Sequence, residues 1–156
     1  KEAPVARSVS SELWPDVSPD GSRIVFQSVK NLSRGNRLFD GMIAVKSAEA
    51  ARAEDEPLMI SEIGGLPVWS PDGSTVAFYR NTTDSMEIWV ANPNGGGERR
   101  LTGDGIPKPG YPVSPYNHIQ ANAFVWSPDS SSIAYVSHRS GAANMWLVSA
   151  SGDSDV

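Results

Sequence analysis

Residues whose types could do chemistry are few in this sequence, and they lie far apart. The chain has two histidines, His118 and His138, in 156 residues and no cysteine. Neither histidine has a second histidine or a group of carboxylates nearby at the spacing of metal ligands. No Gly-x-Ser-x-Gly elbow, His-Glu-x-x-His pair or Gly-rich phosphate loop occurs in the sequence. The sequence therefore predicts a protein that is not an enzyme, with no catalytic residue, cofactor or metal site.

Residues suited to recognition are the stronger candidates, and most of them lie in two insertions. The first insertion spans residues 31–40, and the second spans residues 103–122 and contains four prolines. Tyr, Arg and His on loops stiffened by proline offer a large contact area at a small loss of entropy. The alternative is that both loops only cover the rim of the fold. The candidate residues for binding a partner or ligand are Trp14, Arg34, Arg37, Tyr111, Tyr116, Asn117 and His118.

The insertions interrupt a motif that the chain repeats three times. It reads P-D-V-S-P-D-G at 15–21, P-V-W-S-P-D-G at 67–73 and F-V-W-S-P-D-S at 124–130. In the second and third copies a tryptophan follows the motif's last aspartate by 17 positions. In the first copy Ile43 is aligned with this tryptophan. Trp69, Trp89, Trp126 and Trp146 fall at equivalent repeat positions, and Trp14 lies outside that register. Self-similarity of this kind indicates structural units that bury their apolar faces on one another.

Each copy of the motif predicts a tight turn followed by short antiparallel strands. Proline presets φ at the second position, aspartate bonds the local backbone, and glycine accepts the positive φ that closes the turn. Ser130 replaces this glycine in the third copy, which costs about 1 kcal/mol if φ is positive there. The strands are apolar on both faces, which is typical of sheets packed between sheets. Four-stranded sheets packed around an axis form a β-propeller.

The order of motifs within a repeat resembles a known family. Trp-Ser-Pro-Asp-Gly is followed by Val-Ala-Phe, Ile-Trp-Val, Asn-Gly-Gly and Arg-Leu-Thr. This pattern is similar to the TolB-type, WD-repeat-like β-propeller family, whose blades also occur in tricorn and prolyl-oligopeptidase-like peptidases. The resemblance covers residues 5–156 and implies a non-enzymatic scaffold for protein–protein or ligand binding in the bacterial periplasm. Two alternatives stay open: the regulatory propeller of a prolyl-oligopeptidase-like serine peptidase, and the sensor domain of a transcriptional regulator.

The repeats predict a single propeller region over residues 1–156. It is all-β, with three four-stranded antiparallel blades at about 11–61, 62–102 and 120–156. The third repeat stops before its outer strand, and residues 5–10 resemble such a strand. Three blades are too few to close a ring, which has four to eight. We therefore expect a homodimer with six blades, in which each N-terminal strand closes the partner's last blade; the alternative is a fragment of a larger propeller.

Charge narrows the class of partner. The chain has 13 basic and 18 acidic residues, a net charge of −5 and no basic block. Nucleic acid is therefore excluded as a partner, because binding to phosphates requires concentrated positive charge. No apolar run is long enough for a membrane span. A protein or peptide is the expected partner, and the tyrosines of the second insertion suggest a small glycan as another.

Overall fold

The computed structural model describes residues 10–30, 41–49, 55–82, 86–103, 124–137 and 139–152. Within these ranges the chain forms strands only, and every strand pair is antiparallel. They offer no helix that could cross a membrane. The predicted all-β, antiparallel fold is confirmed. The strands are β1 (Ser11–Val17), β2 (Arg23–Val29), β3 (Gly41–Ser47), β4 (Leu58–Trp69), β5 (Val76–Asn81), β6 (Met86–Ala91), β7 (Arg99–Arg100), β8 (Phe124–Trp126), β9 (Ser132–Ser137) and β10 (Asn144–Ser149).

The strands form meanders in which each strand pairs with its neighbours in sequence. The hydrogen-bonded order is β1 to β7 in one series and β8 to β10 in another. We call β1, β2, β3 and residues 58–64 the first sheet. The second sheet comprises residues 65–69 and β5 to β7, and the third comprises β8 to β10. The blade boundaries predicted from the sequence stay predictions, and most of the predicted outer strand at 5–10 lies outside the described residues.

Strand β4 passes from the first sheet into the second at a pair of glycines. Gly64 pairs with Gly41 of β3, and Gly65 pairs with Tyr79 of β5. A Cβ atom at Gly64 would lie 2.7 Å from Phe78 Cδ2 and 3.0 Å from a side-chain carbon of Ile43. Both distances are shorter than ordinary carbon–carbon contacts. Glycine is therefore required where the strand leaves one sheet and joins the next.

Apolar side chains fill the spaces between successive sheets, as the two-sided strands predict. The second sheet contributes to both cores, since alternate residues of β5 point to opposite faces. Phe78 faces the first sheet, and Tyr79 packs edge-to-face on Phe124 of the third at 4.9 Å between ring centroids. The buried residues between the first and second sheets are Val25, Ile43, Val45, Ile60, Trp69, Val76, Phe78 and Ala91.

The strand register corrects one alignment made from the sequence. Trp89 pairs with Phe78 and Trp146 with Tyr135, whereas the residue paired with Phe26 in the first sheet is Ala44. The prediction that Ile43 occupies the tryptophan position is therefore wrong by one residue. The first insertion separates β2 from β3, so the motif spacing could not fix where β3 begins.

Candidate functional site

The two ends of the sheets carry different kinds of loop. At one end, which we call the turn face, lie the three motif turns at 18–22, 70–74 and 127–131. The second and third turns lie side by side, because the Asp72 N–H donates to Ser130 Oγ at 3.0 Å. The first turn lies beside the second, because a Cβ atom at Gly73 would be 3.5 Å from Pro19 Cδ. At the opposite end, the loop face, β2 ends and β3 begins, and β7 ends and β8 begins.

Both insertions are therefore anchored at the loop face. Residues 30 and 41 border the first insertion, and residues 103 and 124 border the undescribed part of the second. Six of the seven predicted site residues lie outside the described residues, and their role in binding stays a prediction. They are Arg34, Arg37, Tyr111, Tyr116, Asn117 and His118.

The turn face satisfies its own polar groups. In the second turn, Ser70 Oγ donates to Asp72 Oδ1 at 2.6 Å and accepts the Thr75 N–H at 3.0 Å, while Asp72 Oδ1 accepts the Ser74 N–H at 2.9 Å. The first and third turns repeat all three bonds within 0.2 Å. The serine after the turn glycine thus belongs to the motif, and sequence reasoning missed it. Its signal was available, since serine follows in all three copies, at Ser22, Ser74 and Ser131.

The fourth turn position has a positive φ in every copy. The angle is 73° at Gly21, 71° at Gly73 and 62° at Ser130. The condition stated for the cost at Ser130 is therefore met. The hydroxyl of Ser130 offsets part of this cost, because it accepts the backbone N–H of the neighbouring turn.

Hydrogen bonds lower the pKa of the aspartates in all three turns. Donation from the Ser18 hydroxyl lowers the pKa of Asp20 to about 2, and donation from Ser127 does the same for Asp129. The Ser70 hydroxyl lowers the pKa of Asp72. Each carboxylate therefore stabilises the fold only while it is ionised.

We expect this stabilisation to be complete above the unfolded pKa of 3.8 and to be lost as the pH falls through about 2. The melting temperature of the Asp20→Asn/Asp129→Asn variant should lie below that of the wild type at pH 6. This gap should close as the pH approaches 2. Thermal unfolding followed by circular dichroism measures it, with the exposed Glu62→Gln as the control. A gap that stays constant over this range would contradict the assignment.

Trp14 occupies the repeat position of Leu66, away from the positions that the other four tryptophans share. It has a φ of 48° in a β-bulge between Leu13 and Asp16, and Leu66 has a φ of 52° in the equivalent bulge of β4. Trp14 is partly buried and packs on the cluster between the second and third sheets. The indole is therefore at least partly structural, and binding through its exposed part stays a prediction.

Two buried polar side chains lie on the half of the sheets nearest the loop face. Gln27 and Tyr79 occupy equivalent positions, because each precedes the end of its strand and pairs with an isoleucine of the next. Gln27 is 0% exposed and Tyr79 1% exposed. The two carboxamide atoms of Gln27 and the Tyr79 hydroxyl have no hydrogen-bond partner within the described structure. Burial raises the pKa of the Tyr79 phenol, which keeps it neutral.

The buried Gln27 carboxamide lowers the stability of the fold, because it has no hydrogen-bond partner within the described structure. A Cβ atom at Gly41 would be 2.5 Å from Gln27 Nε2, so glycine at this position makes room for the amide. An unpaired buried polar group costs about 1–3 kcal/mol. We therefore expect Gln27→Met, which keeps the volume and removes the amide, to raise the free energy of unfolding by about 1–2 kcal/mol.

Urea denaturation measures the change, and Tyr79→Phe is the matched variant at the equivalent position. Tyr79→Phe should be neutral or slightly stabilising, because the hydroxyl it removes has no partner. A loss of stability in Gln27→Met would instead mean that the amide is hydrogen-bonded in solution.

Comparison with known proteins places this geometry in a family. Residues 42–155 match the dipeptidyl peptidase IV (DPP IV) N-terminal region, a match over more than half of the chain. The chain belongs to this family. A stretch of 38 residues is also 50% identical to the Tol-Pal system protein TolB of Gluconobacter oxydans (strain 621H), which is 24% of this chain and 8% of that protein.

Solved structures are similar to this DPP IV N-terminal region protein over most of its length. Putative TolB from Agrobacterium tumefaciens superposes with a TM-score of 0.59 at 21% identity, over 88% of this chain and 42% of that one. The β-propeller domain of the trilobed protease from Pyrococcus furiosus gives 0.63 at 16% identity, over 96% and 42%. These identities establish the fold alone. The predicted TolB-like β-propeller architecture is confirmed, and the chain spans less than half the length of these relatives.

Proposed function

We propose that this chain is a non-enzymatic propeller module that binds another protein or a peptide through its loop face. One observation carries the proposal: both insertions are anchored at that face, while the motif turns of the opposite face hydrogen-bond within themselves. Loops on a rigid sheet scaffold are the usual place for recognition residues. A small glycan is a second class of ligand for the same face. The likeness to TolB supports a periplasmic location.

The proposal is tested with variants on the two faces. Tyr111→Ser/Tyr116→Ser and Arg34→Glu/Arg37→Glu alter the loop face, while Ser22→Ala alters the turn face. Immobilised wild-type protein is exposed to a periplasmic extract, and retained proteins are identified by mass spectrometry. We expect both loop-face variants to lose a partner that the wild type and Ser22→Ala retain. Equal retention by all forms would overturn the assignment of the loop face.

A second candidate function is favoured by the family itself. Membership of the DPP IV N-terminal region family and the likeness to a protease propeller support a regulatory propeller joined to a serine peptidase domain. In that case the same gene would encode an α/β-hydrolase domain with a Gly-x-Ser-x-Gly elbow. Reading the complete gene separates the two functions. The sensor domain of a transcriptional regulator has no comparable support.

We further propose that two copies assemble into one six-bladed ring. The third sheet exposes apolar side chains on its outward face, including Met145 at 86% and Val125 at 53%. The equivalent residues of the second sheet are Ile88 and Val68, and that face of the second sheet packs on the third. An exposed face of this kind favours a partner sheet.

Closure of the ring would bring the third sheet onto the partner's first sheet. Phe26 and Ala44 lie on the outward face of that first sheet and are 5% and 3% exposed in the single chain. Both residues must therefore become exposed before the partner's third sheet can pack on them. Uncovering them costs free energy and weakens association, so the dimer should form only at the higher concentrations. Light scattering across the micromolar range tests this, and Met145→Asp should weaken the dimer. A monomer at every concentration would overturn the ring.

A further inference from the structure

The outer edges of the first two sheets carry different residues at equivalent positions. The outer edge is formed by residues 58–64 in the first sheet and by β7 in the second. Met59 pairs with Ala44, and Arg100 pairs with Trp89. Ala44 and Trp89 occupy the same place in their sheets, so Met59 is the counterpart of Arg100. The residues that precede these two correspond in the same way.

Charged side chains protect the outer edge of the second sheet. Arg99 and Arg100 are both exposed, and together they make up the whole of β7. The Arg100 guanidinium donates to Glu87 at 3.2 Å, and the Arg99 guanidinium donates to the carbonyl oxygen of Ala150. A short edge strand with long charged side chains resists the pairing of a further strand. We therefore expect no strand to add to this edge.

The outer edge of the first sheet lacks this protection. The counterparts of the two arginines are Leu58 and Met59, which are 47% and 46% exposed. Leu58 pairs with Val45 and Met59 with Ala44, which are neighbouring residues whose side chains point to opposite faces of the sheet. The two apolar side chains therefore flank the edge on both faces, and an added strand would contact both.

The backbone along this edge is open in the part of the chain that the structure describes. There, residues 58–61 pair with β3 alone. An open edge offers N–H and C=O groups that direct the pairing of another strand. Packing of one sheet on another covers the faces of a sheet and leaves its outer edge at the perimeter. Leu58 and Met59 therefore stay accessible however the ring is completed.

Charge at this edge indicates the kind of strand that would add. The exposed acidic residues beside the apolar pair, none of them in an ion pair within the described ranges, are Asp55, Glu56 and Glu62. The ammonium of Lys46, which is only 7% exposed, donates to the backbone carbonyl of Asp55. The Arg80 guanidinium donates to Ser61 Oγ at 3.0 Å, but its charge is paired with Glu98. The edge is therefore acidic and favours a strand with basic side chains.

A second copy of this chain fits the edge less well. If Leu58 of one copy paired with Met59 of another in an antiparallel register, Asp55 of each copy would lie opposite Glu62 of the other. Like charges directly opposite one another destabilise a strand pair. Charge complementarity therefore favours a basic strand from a different protein.

We propose that the outer edge of the first sheet at Leu58 and Met59 binds an extended segment of another protein as an added β-strand. The segment carries apolar side chains that pack on this pair, and lysine or arginine residues at its ends that face Asp55, Glu56 and Glu62. In such an addition the backbone hydrogen bonds supply affinity and the side chains supply specificity. This surface is separate from the loop face and from the sheet faces that meet in the proposed ring.

A labelled peptide tests the proposal by fluorescence anisotropy. The probe is fluorescein-labelled Lys-Lys-Val-Ile-Val-Thr-Lys-Lys, and its matched control has glutamate in place of each lysine. We expect the acidic peptide to bind at least about tenfold more weakly than the basic one. Leu58→Arg/Met59→Arg, which copies the residues of the second sheet, should weaken binding of the basic peptide by about tenfold or more. Asp55→Asn/Glu56→Gln/Glu62→Gln should remove most of the salt dependence of binding.

Two controls separate strand addition from other effects. Arg99→Lys/Arg100→Lys alters the equivalent edge of the second sheet and should bind the peptide as the wild type does. Two further peptides are N-methylated at alternate residues, one for each set of backbone N–H groups. One of them should lose binding, because only one set faces the edge. This pair tests backbone pairing on the wild-type protein, so the test holds even if Leu58→Arg/Met59→Arg does not fold.

Each contrary outcome overturns the proposal in a distinct way. No binding of the basic peptide would remove the site, and equal binding by Leu58→Arg/Met59→Arg would place it elsewhere. Binding of both methylated peptides would exclude strand addition, and equal binding of the acidic peptide would exclude a basic occupant. A wild-type dimer that dissociates in Leu58→Arg/Met59→Arg would mean that a second copy occupies the edge. Tyr111→Ser/Tyr116→Ser should bind the peptide normally, so the loop face is tested separately.

Discussion

Trp69→Ala should lower the free energy of unfolding by about 3–5 kcal/mol, the range for truncating a buried aromatic residue. Trp69 is 4% exposed in the core between the first two sheets. Its indole N–H donates to the carbonyl of Asp16 at 3.2 Å, and its backbone N–H donates to the Asp16 carboxylate at 2.8 Å. The guanidinium of Arg23 lies 4.8 Å from the ring centroid. Trp69 thus joins two inner strands that are far apart in sequence.

A smaller substitution separates packing from hydrogen bonding. Trp69→Phe keeps an aromatic ring but removes the indole donor, so part of the loss should remain. Trp146→Phe is the matched control, because its indole N–H has no partner within the described structure, although Arg139 stacks on the ring at 3.5 Å. Urea denaturation of the three variants measures the changes. If Trp69→Phe costs no more than Trp146→Phe, the bond to Asp16 contributes nothing.

The same inter-sheet bond recurs one sheet further on. Trp126 Nε1 donates to the Val68 carbonyl, and Val68 is the repeat equivalent of Asp16. Val17, which occupies the tryptophan position in the first copy, is 54% exposed. The tryptophan thus donates to the preceding sheet in the second and third copies, and the first copy has Val17 at this position.

Repetition in the sequence was sufficient to predict the strands, the turns and their stacking. The residues Ser-Pro-Asp-Gly favour a tight turn through local interactions alone. The recurrence of this turn indicates that each repeated unit packs on another. The sequence left the sign of φ at Ser130 open, and the structure shows that it is positive. Ala44 was missed because a loop of unknown course precedes β3, and motif spacing carries no register across such a loop.

The candidate site was harder to predict, because insertions do not repeat. Their composition suggested recognition residues, and the topology adds only that both insertions start from one face. The burial of Gln27 could not be predicted from the sequence, because a single glutamine in an apolar strand is normally interpreted as a residue that faces solvent. Only the packing of the second sheet onto the first makes it a buried and unpaired amide.

The sequence did not indicate that Gly64 is important either, yet the structure predicts that replacing this glycine strongly destabilises the fold. Alanine there would bring a methyl group to 2.7 Å from Phe78 Cδ2 and 3.2 Å from the Tyr79 carbonyl oxygen. Phe78 is 0% exposed and the carbonyl is backbone, so neither can move aside cheaply. We expect Gly64→Ala to lower the free energy of unfolding by about 1–3 kcal/mol, the usual cost of overpacking a core.

Gly103→Ala is the control for the loss of glycine as such, because a Cβ atom there would meet nothing within 4 Å. Phe78→Leu combined with Gly64→Ala should recover part of the loss, since a smaller side chain at 78 relieves the contact. Urea denaturation with an unchanged m-value would assign the effect to the native state. Equal stability of Gly64→Ala and Gly103→Ala would mean that β4 can shift between the sheets. In that case the close contact between Gly64 of β4 and Phe78 of β5 would not determine how the first two sheets are positioned.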